Sequence, residues 1–163
     1  MSTPEFILSL RKKIGHDQLW LPGIGVVIFR NDGRILLGRR SDTGKWSVIS
    51  GIPEPGEHPG QAARRECLEE TGLEVDLLGI CMVRAEEPMV FPNGDQCVFM
   101  DICFVAQIDE SLADNARVND DESLEVGWFD PDNLPSPLTQ TAPSRITAAR
   151  EWLISPAHPV RFH

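Results

Sequence analysis

Two apolar runs, Ile24 to Phe29 and Ile35 to Arg39, flank Asn31-Asp32-Gly33. Asp-Gly favours a tight turn, so the pattern predicts a β-hairpin. Trp46 to Ile49 predicts a further short strand. Val75 to Val83 and Gln96 to Ala106 also read as strands, with Pro92-Asn93-Gly94-Asp95 as the turn of a second hairpin. Cys97 to Val105 is apolar on both faces apart from Asp101, which predicts a central strand covered on both sides. Asp101 must then meet a buried arginine or face a cleft. Residues 109–125 are polar and acidic and read as a surface loop before a strand over Val126 to Phe129.

Helical spacing occurs in three places. Ser2-Thr3-Pro4-Glu5 followed by Phe6, Ile7, Leu10 and Ile14 predicts a capped amphipathic helix ending near Gly15, an appendage over residues 1–16 that precedes a single domain over 17–163. Gly51, Pro53, Pro55 and Gly56 deny a helix before Pro59, whose fixed φ suits a first turn. The helix should run to Thr71, where Gly72 can take the left-handed closing conformation. Ala63, Cys67 and Leu68 give it one side to bury. A last helix is predicted over Ser144 to Leu153. The order β, β, helix, β, β, β, helix implies an α/β (α+β) sandwich with a central mixed sheet between helices.

The chain of 163 residues suits one domain with a real core. No apolar run approaches the ~18 residues of a membrane span, and the acidic N-terminus lacks the basic start of a signal peptide, so no membrane is expected and a cytoplasmic location is the default. A net charge of -10 argues against nucleic acid duplex as a partner, because duplex binding rests on Lys and Arg. A small phosphorylated ligand remains compatible, since a bound metal inverts the sign of an acidic site. Cys67, Cys81, Cys97 and Cys103 lack zinc spacing and read as buried free thiols. No phosphate-binding loop of the G-x4-G-K-[ST] type occurs, and the scattered histidines suggest no triad; His58 stands where it could cap the helix.

Between Gly51 and Leu73 the spacing is G-x5-E-x7-R-E-U-x-E-E-x-G-U, where U is a bulky aliphatic. At about 100° per residue, Glu66, Glu69 and Glu70 fall within roughly 100° of arc on one helix face. Like charges so spaced repel, and more so if desolvated. A cation relieves them, and an oxygen-rich cluster suits Mg2+, which takes a few carboxylates, waters and phosphate oxygens. The bland alternative, a solvated acidic face, is the usual fate of such runs.

The stretch GIPEPGEHPGQAARRECLEETGL resembles the signature of the Nudix hydrolases. Its fixed positions are filled; Cys67 stands where the family usually has a branched aliphatic, and Ile52 where a second glycine is common. The resemblance implies the family's α/β/α sandwich. It further implies hydrolysis of the pyrophosphate linkage of a nucleoside diphosphate derivative, ADP-ribose-like or a nucleoside triphosphate, by water attack assisted by Mg2+, with Mn2+ as the alternative ion. Glu66, Glu69 and Glu70 would be metal ligands, with Glu57 at the margin, and Arg65 would reach back to Glu57 to fix the loop. A further acid before the strand containing Trp128 is common in the family as ligand or base; Glu122 is the choice, with Asp121 and Glu125 as competitors.

Arg39 and Arg40 are candidates for substrate phosphates, Gly51 for close approach of the chain to a ligand, and Trp46, Phe91 and Phe99 for base stacking. A regulatory module that binds a nucleotide metabolite without cleaving it is the competing function. A dimerising scaffold with an incidental acid cluster is a third reading. Apolar surface on the first helix and on the Phe91 hairpin leaves a homodimer open without fixing stoichiometry.

Overall fold

The structure, a computed structural model, describes residues 3–155 and 161–162. One mixed sheet carries strands β1 (Leu19–Phe29), β2 (Ile35–Arg40), β3 (Trp46–Ser47), β4 (Ile49–Gly51), β5 (Asp76–Ala85), β6 (Met89–Val90), β7 (Gln96–Gln107), β8 (Ser123–Phe129) and β9 (Arg161–Phe162). The helices are α1 (Glu5–Ile14), α2 (Pro59–Thr71), α3 (Glu110–Ala113) and α4 (Ala142–Ile154). The main path is β3-β2-β1-β7-β5-β9, with β4 on β1, β6 on β7 and β8 on β2.

Alternation along β1 builds two cores. Ile24, Val26 and Ile28 pack with Ile49, Phe104, Ala62, Ala63 and Cys67 beneath α2. Val27 and Phe29 pack with Leu37, Cys103, Val105, Ile146 and Ala149 beneath α4. Period-two patterning on a strand between two helices therefore produces the α/β/α layering.

The central strand is as expected, and β7 runs parallel to β1 from Leu19↔Cys97 to Phe29↔Gln107. β1 starts before Ile24, at Leu19, despite Pro22 and Gly23. Among the described residues, its stretch before Ile24 has β7 as its strand partner and no strand on the other edge, where a missing N–H is tolerated. Asp101 is 0% exposed and its carboxylate takes Nε and Nη2 of Arg145 from α4, each at 2.8 Å. Gly25 makes room for that arginine: a Cβ there would lie 2.9 Å from Arg145 Nε.

Neither hairpin is simple. The first turn forms, with Gly33 at φ 87 and its N donating to Arg30 O at 2.9 Å. Its arms then part after Phe29↔Ile35, because β2 pairs with β8 from Ile35↔Phe129 to Arg40↔Ser123. The second turn closes β6 onto β7, while β5 joins β7 through two register shifts. The acidic 109–125 stretch contains α3, started by Asp109, whose Oδ1 accepts from Ser111 N at 2.9 Å, and it enters β8 already at Ser123. α4 begins at Ala142 rather than Ser144.

α1 ends at Gly15 as expected, but its N-cap is Pro4 and among the described residues no side chain caps it; Ser2 of the expected cap lies outside the described residues. It docks through Ile7 on Leu21, Ile52 and Cys97, with Phe6, Leu19, Phe91 and Phe99 around them. Arg11 ties it down by donating to the Gln96 carbonyl at 2.9 Å. All four cysteines are buried free thiols. Among the described residues no helix is long and apolar enough to cross a membrane.

Candidate active site on helix α2

α2 is framed as its sequence requires. Pro59 opens it, Gln61 Oε1 accepts from His58 N at 3.2 Å, and Gly72 closes it in the left-handed conformation at φ 71. His58 thus receives a cap from Gln61 at its own N–H. The buried side of the helix is Ala62, Ala63, Cys67 and Thr71, and two glutamates join them: Glu66 is 3% exposed and Glu70 8%. Glu69 stays exposed.

Glu66 reaches the sheet because residue 51 is glycine. Gly51 pairs with Ile24, and a Cβ there would fall within the van der Waals envelope of Glu66 Cδ and Oε1. Its φ is not left-handed, so the glycine is needed for space rather than for backbone freedom. The sequence suggested a close approach to a ligand at Gly51; in the structure the group that approaches is the Glu66 side chain of the same chain.

Arg65 is the cation of the site. Its Nε and Nη2 form a fork on Glu57, both at 2.9 Å, and Nη1 donates to Glu66 Oε1 at 2.9 Å and Glu69 Oε2 at 3.0 Å. Glu57 Oε2 also accepts from Glu54 N at 2.9 Å, closing the 54–57 turn. A sheltered bidentate pair of this kind contributes on the order of 1–3 kcal/mol, enough to hold the loop against the helix. The guanidinium keeps the Glu57 carboxyl below its usual range.

Burial raises the pKa of Glu66, partly offset by Arg65. Among the described residues Glu70 has no arginine; its Oε1 accepts a hydrogen bond from Ser50 N at 3.3 Å. Burial, then the charge of Glu66, push Glu70 up to about 8. Among the described residues no three His, Cys, Asp or Glu side chains stand together at metal-ligand spacing. Arg65 takes one oxygen each of Glu66 and Glu69, and the Ser50 amide takes one of Glu70. The donor set nevertheless fits a hard divalent ion: all oxygen, two carboxylates desolvated, one of them without a cationic partner.

The loop after α3 closes over the end of α2. Arg117 N donates to Thr71 O at 3.1 Å, Asn119 N to Glu70 O at 3.2 Å and Asn119 Nδ2 to Leu68 O at 3.0 Å. The loop thereby brings its acids to the site, and Asp120 is the one whose charge reaches Glu70 and helps to raise it. Asp120 Oδ1 also accepts from Glu122 N at 3.0 Å, while Glu122 O accepts from Ser41 N at 2.7 Å. Asp121 and Glu125 are exposed, and Glu125 faces Arg39 across the β2–β8 ladder. Asp120 was missed in sequence because nothing distinguishes it from its acidic neighbours until the helix end sets the loop.

The other expected substrate residues fall in different places. Trp46 is 7% exposed and edge-on to Phe129 at 4.8 Å, so it is a core residue and presents no face to a base. Phe91 is half-buried against α1, so the hairpin's exposed apolar residue is Val90 instead. Arg40 is paired with Asp42, and Arg39 Nε donates to Gly44 O at 3.2 Å, beside the turn that follows β2.

A helix with buried acids, strapped by an Arg–Glu fork and laid on a mixed sheet inside an α/β/α sandwich, defines the Nudix class of scaffold. Solved structures share it. An ADP-ribose pyrophosphatase from Streptococcus suis superposes with a TM-score of 0.69 at 21% identity, covering 88% of this chain and 98% of that one. A MutT NUDIX hydrolase from Burkholderia pseudomallei gives 0.59 at 28% identity, covering 80% and 98%.

Residues 19–151 match the NUDIX domain, and the chain belongs to that family. Among curated relatives, an NAD-capped RNA hydrolase NudC of Vibrio atlanticus is 33% identical over 116 residues, 68% of this chain and 38% of the relative. An RNA pyrophosphohydrolase of Sphingopyxis alaskensis is 39% identical over 88 residues, 52% of this chain and 55% of the relative. The chain thus spans between about a third and about half of the length of these two relatives.

Proposed function

We propose that the protein is a divalent-metal-dependent pyrophosphohydrolase that cleaves the diphosphate linkage of a nucleoside diphosphate derivative, ADP-ribose-like or a nucleoside triphosphate. The carrying observation is Glu70, a carboxylate that is buried, without a cationic partner among the described residues, and beside the equally buried Glu66. A fold does not maintain such a pair without a use for it unless something offsets the cost. Membership of the family and the names of its relatives agree with phosphoanhydride chemistry.

Glu66, Glu69 and Glu70 would hold Mg2+, with Mn2+ as a substitute and Glu57 at the margin. When bound, such an ion supplies charge relief on phosphate oxygens and lowers the pKa of its water. The chain's own residues do the rest. Gly51 lets Glu66 stand against the sheet, and Arg65 locks Glu57 so that the 52–58 loop keeps its shape. Glu122 and Asp120, on the loop tied to the end of α2, would be the candidate proton acceptors for the attacking water. Arg40, once released from Asp42, would meet a substrate phosphate.

The test is hydrolysis of a panel comprising ADP-ribose, NAD, nucleoside triphosphates and NAD-capped RNA, with metal titrated, on wild type and Glu70→Gln. Metal-dependent turnover abolished by the substitution is expected. Equal rates for the two proteins would remove the site, and tight binding of a panel member with no turnover under any divalent ion would favour the regulatory module.

A further inference from the structure

Among the described residues, one tryptophan belongs neither to the two cores nor to the cluster under α1. Trp20, in the first half of β1, is 65% exposed. Its face can be read from the register. Ile24, Val26 and Ile28 face α2, and the pairing of β1 with β7 is unbroken from Leu19 to Phe29. Pro22 and Trp20 therefore stand on the α2 face as well, beside Met100 and Val98 of β7. The core under α2 ends at Ile24 and Ile102, and beyond it these four residues continue as an apolar strip: Trp20 and Pro22 are exposed, Val98 and Met100 half-buried.

This strip leads to the carboxylates. Ile24 pairs with Gly51, over which Glu66 lies. Four residues of strand separate Trp20 from Ile24, a distance of ~13 Å at the usual rise. The reach of a nucleoside diphosphate from its base to its outer phosphorus is of that order. The chemistry of the two ends also differs in the way such a ligand requires. One end is acidic and, on the reading proposed above, would take a diphosphate through a divalent ion. The other carries no Lys or Arg among its four residues and so does not suit phosphate, but an indole face suits an uncharged planar ring.

We infer that Trp20 is the platform on which the base of the substrate stacks, with Pro22, Val98 and Met100 as the apolar floor beside it. The assignment rests on the reading that the α2 carboxylates hold the diphosphate, and it gives the recognised group as a nucleobase rather than a sugar or a second phosphate chain. Stacking on a π-face tolerates any base, so Trp20 supplies affinity for nucleotides as a class and little preference among them.

Equilibrium binding of α,β-methylene-ADP and, separately, of inorganic pyrophosphate to the full chain in Mg2+ tests it, using wild type, Trp20→Ala and Trp20→Phe. Trp20→Ala should weaken the nucleotide analogue between about fivefold and a hundredfold, the range for loss of one base stack. Pyrophosphate binding should not change, and Trp20→Phe should recover most of the nucleotide affinity. With a hydrolysed substrate Trp20→Ala should raise KM and leave kcat alone, and Trp20→Phe should return KM most of the way to the wild-type value.

Nucleotide affinity unchanged in Trp20→Ala overturns the assignment. Equal loss of nucleotide and pyrophosphate overturns it too, by making the role structural. A shift from dimer to monomer in sedimentation with nucleotide affinity intact would give the strip to a second copy of the chain. Wild type that binds pyrophosphate but not the analogue also refutes a base platform. Because binding is read without turnover, a chain that hydrolyses nothing still reports on Trp20, whereas failure of pyrophosphate to bind in Mg2+ strikes the metal site instead.

Discussion

Gly51→Ala isolates the contact on which the site geometry turns. The added Cβ would stand 2.5 Å from Glu66 Cγ and closer still to its carboxyl carbon. Unstrained carbons prefer about 3.5–4.0 Å, so Glu66 must withdraw by at least ~1 Å. The backbone at residue 51 accepts alanine, because its φ is not left-handed, and the perturbation is therefore steric and local. Withdrawal breaks the 2.9 Å bond from Arg65, a loss of roughly 1.5–3 kcal/mol, but it also lets a desolvated carboxylate regain water. The two effects oppose each other, so stability should change by no more than ~2 kcal/mol. Activity has no such compensation: a misplacement of about 1 Å in a catalytic constellation costs on the order of a hundredfold. The assay is kcat on a diphosphate substrate in saturating Mg2+ beside a urea melt. A Gly51→Ala, Glu66→Ala double variant should be no less active than Glu66→Ala alone, because the added methyl group acts only by displacing that carboxylate. Activity of Gly51→Ala within threefold of wild type would refute the steric reasoning and with it the assigned position of Glu66.

Three other perturbations follow from the same geometry. Asp101→Asn leaves Arg145 buried without its counter-ion and should cost about 3–5 kcal/mol in urea denaturation, whereas Asp101→Leu combined with Arg145→Met should recover most of that loss; equal destabilisation by both would contradict it. Glu70 has its folded pKa raised from 4.5 to about 8, so folding retains a proton between those values. Its favourable contribution is complete below pH 4.5 and lost as pH rises through about 8, an effect on the order of 4–5 kcal/mol at most in metal-free protein. Stability in chelator should therefore fall across that window, and Glu70→Gln should flatten the fall; a wild-type profile that rises with pH would be the wrong sign. Arg65→Lys keeps the charge but loses the fork on Glu57, and kcat should drop at least tenfold with under ~2 kcal/mol change in stability; full activity in the lysine variant would show that charge alone suffices.

What was legible in the chain was local. Pro59 and Gly72 bracket α2, Asp32-Gly33 makes its turn and the acids fall on adjacent turns because these features depend on residues a few positions apart. What was illegible depends on partners far along the chain. β2 chooses β8 over a long hairpin with β1, and that choice also sends Trp46 of neighbouring β3 into the core beside Phe129. Asp101 could be recognised as needing a partner, but Arg145 lies 44 residues away and is delivered by the docking of α4. Asp120 became distinct from Asp121 only when Arg117 and Asn119 fixed the loop to the end of α2. Trp20 escaped notice because Pro22 and Gly23 hid the strand on which it stands.

The sheet solves the same problem twice, with opposite outcomes. On its α4 face Gly25 opens a gap through which Arg145 reaches Asp101, and one positive charge meets one negative charge in a closed, fully buried pair. On its α2 face Gly51 opens a gap for Glu66, but here, among the described residues, Arg65 bonds Glu57, Glu66 and Glu69, and Glu70 takes the Ser50 amide and no arginine. If both gaps served stability alone, the second should also be balanced, because an unpaired buried carboxylate costs more than any packing its methylenes return. The imbalance is confined to the face that carries the exposed Trp20 strip, and it has the sign and the donor chemistry that a divalent ion bridging to a phosphate would correct. Charge balance within one layer and charge deficit in the other thus separate the part of this chain that holds the fold from the part to which the proposed chemistry is assigned.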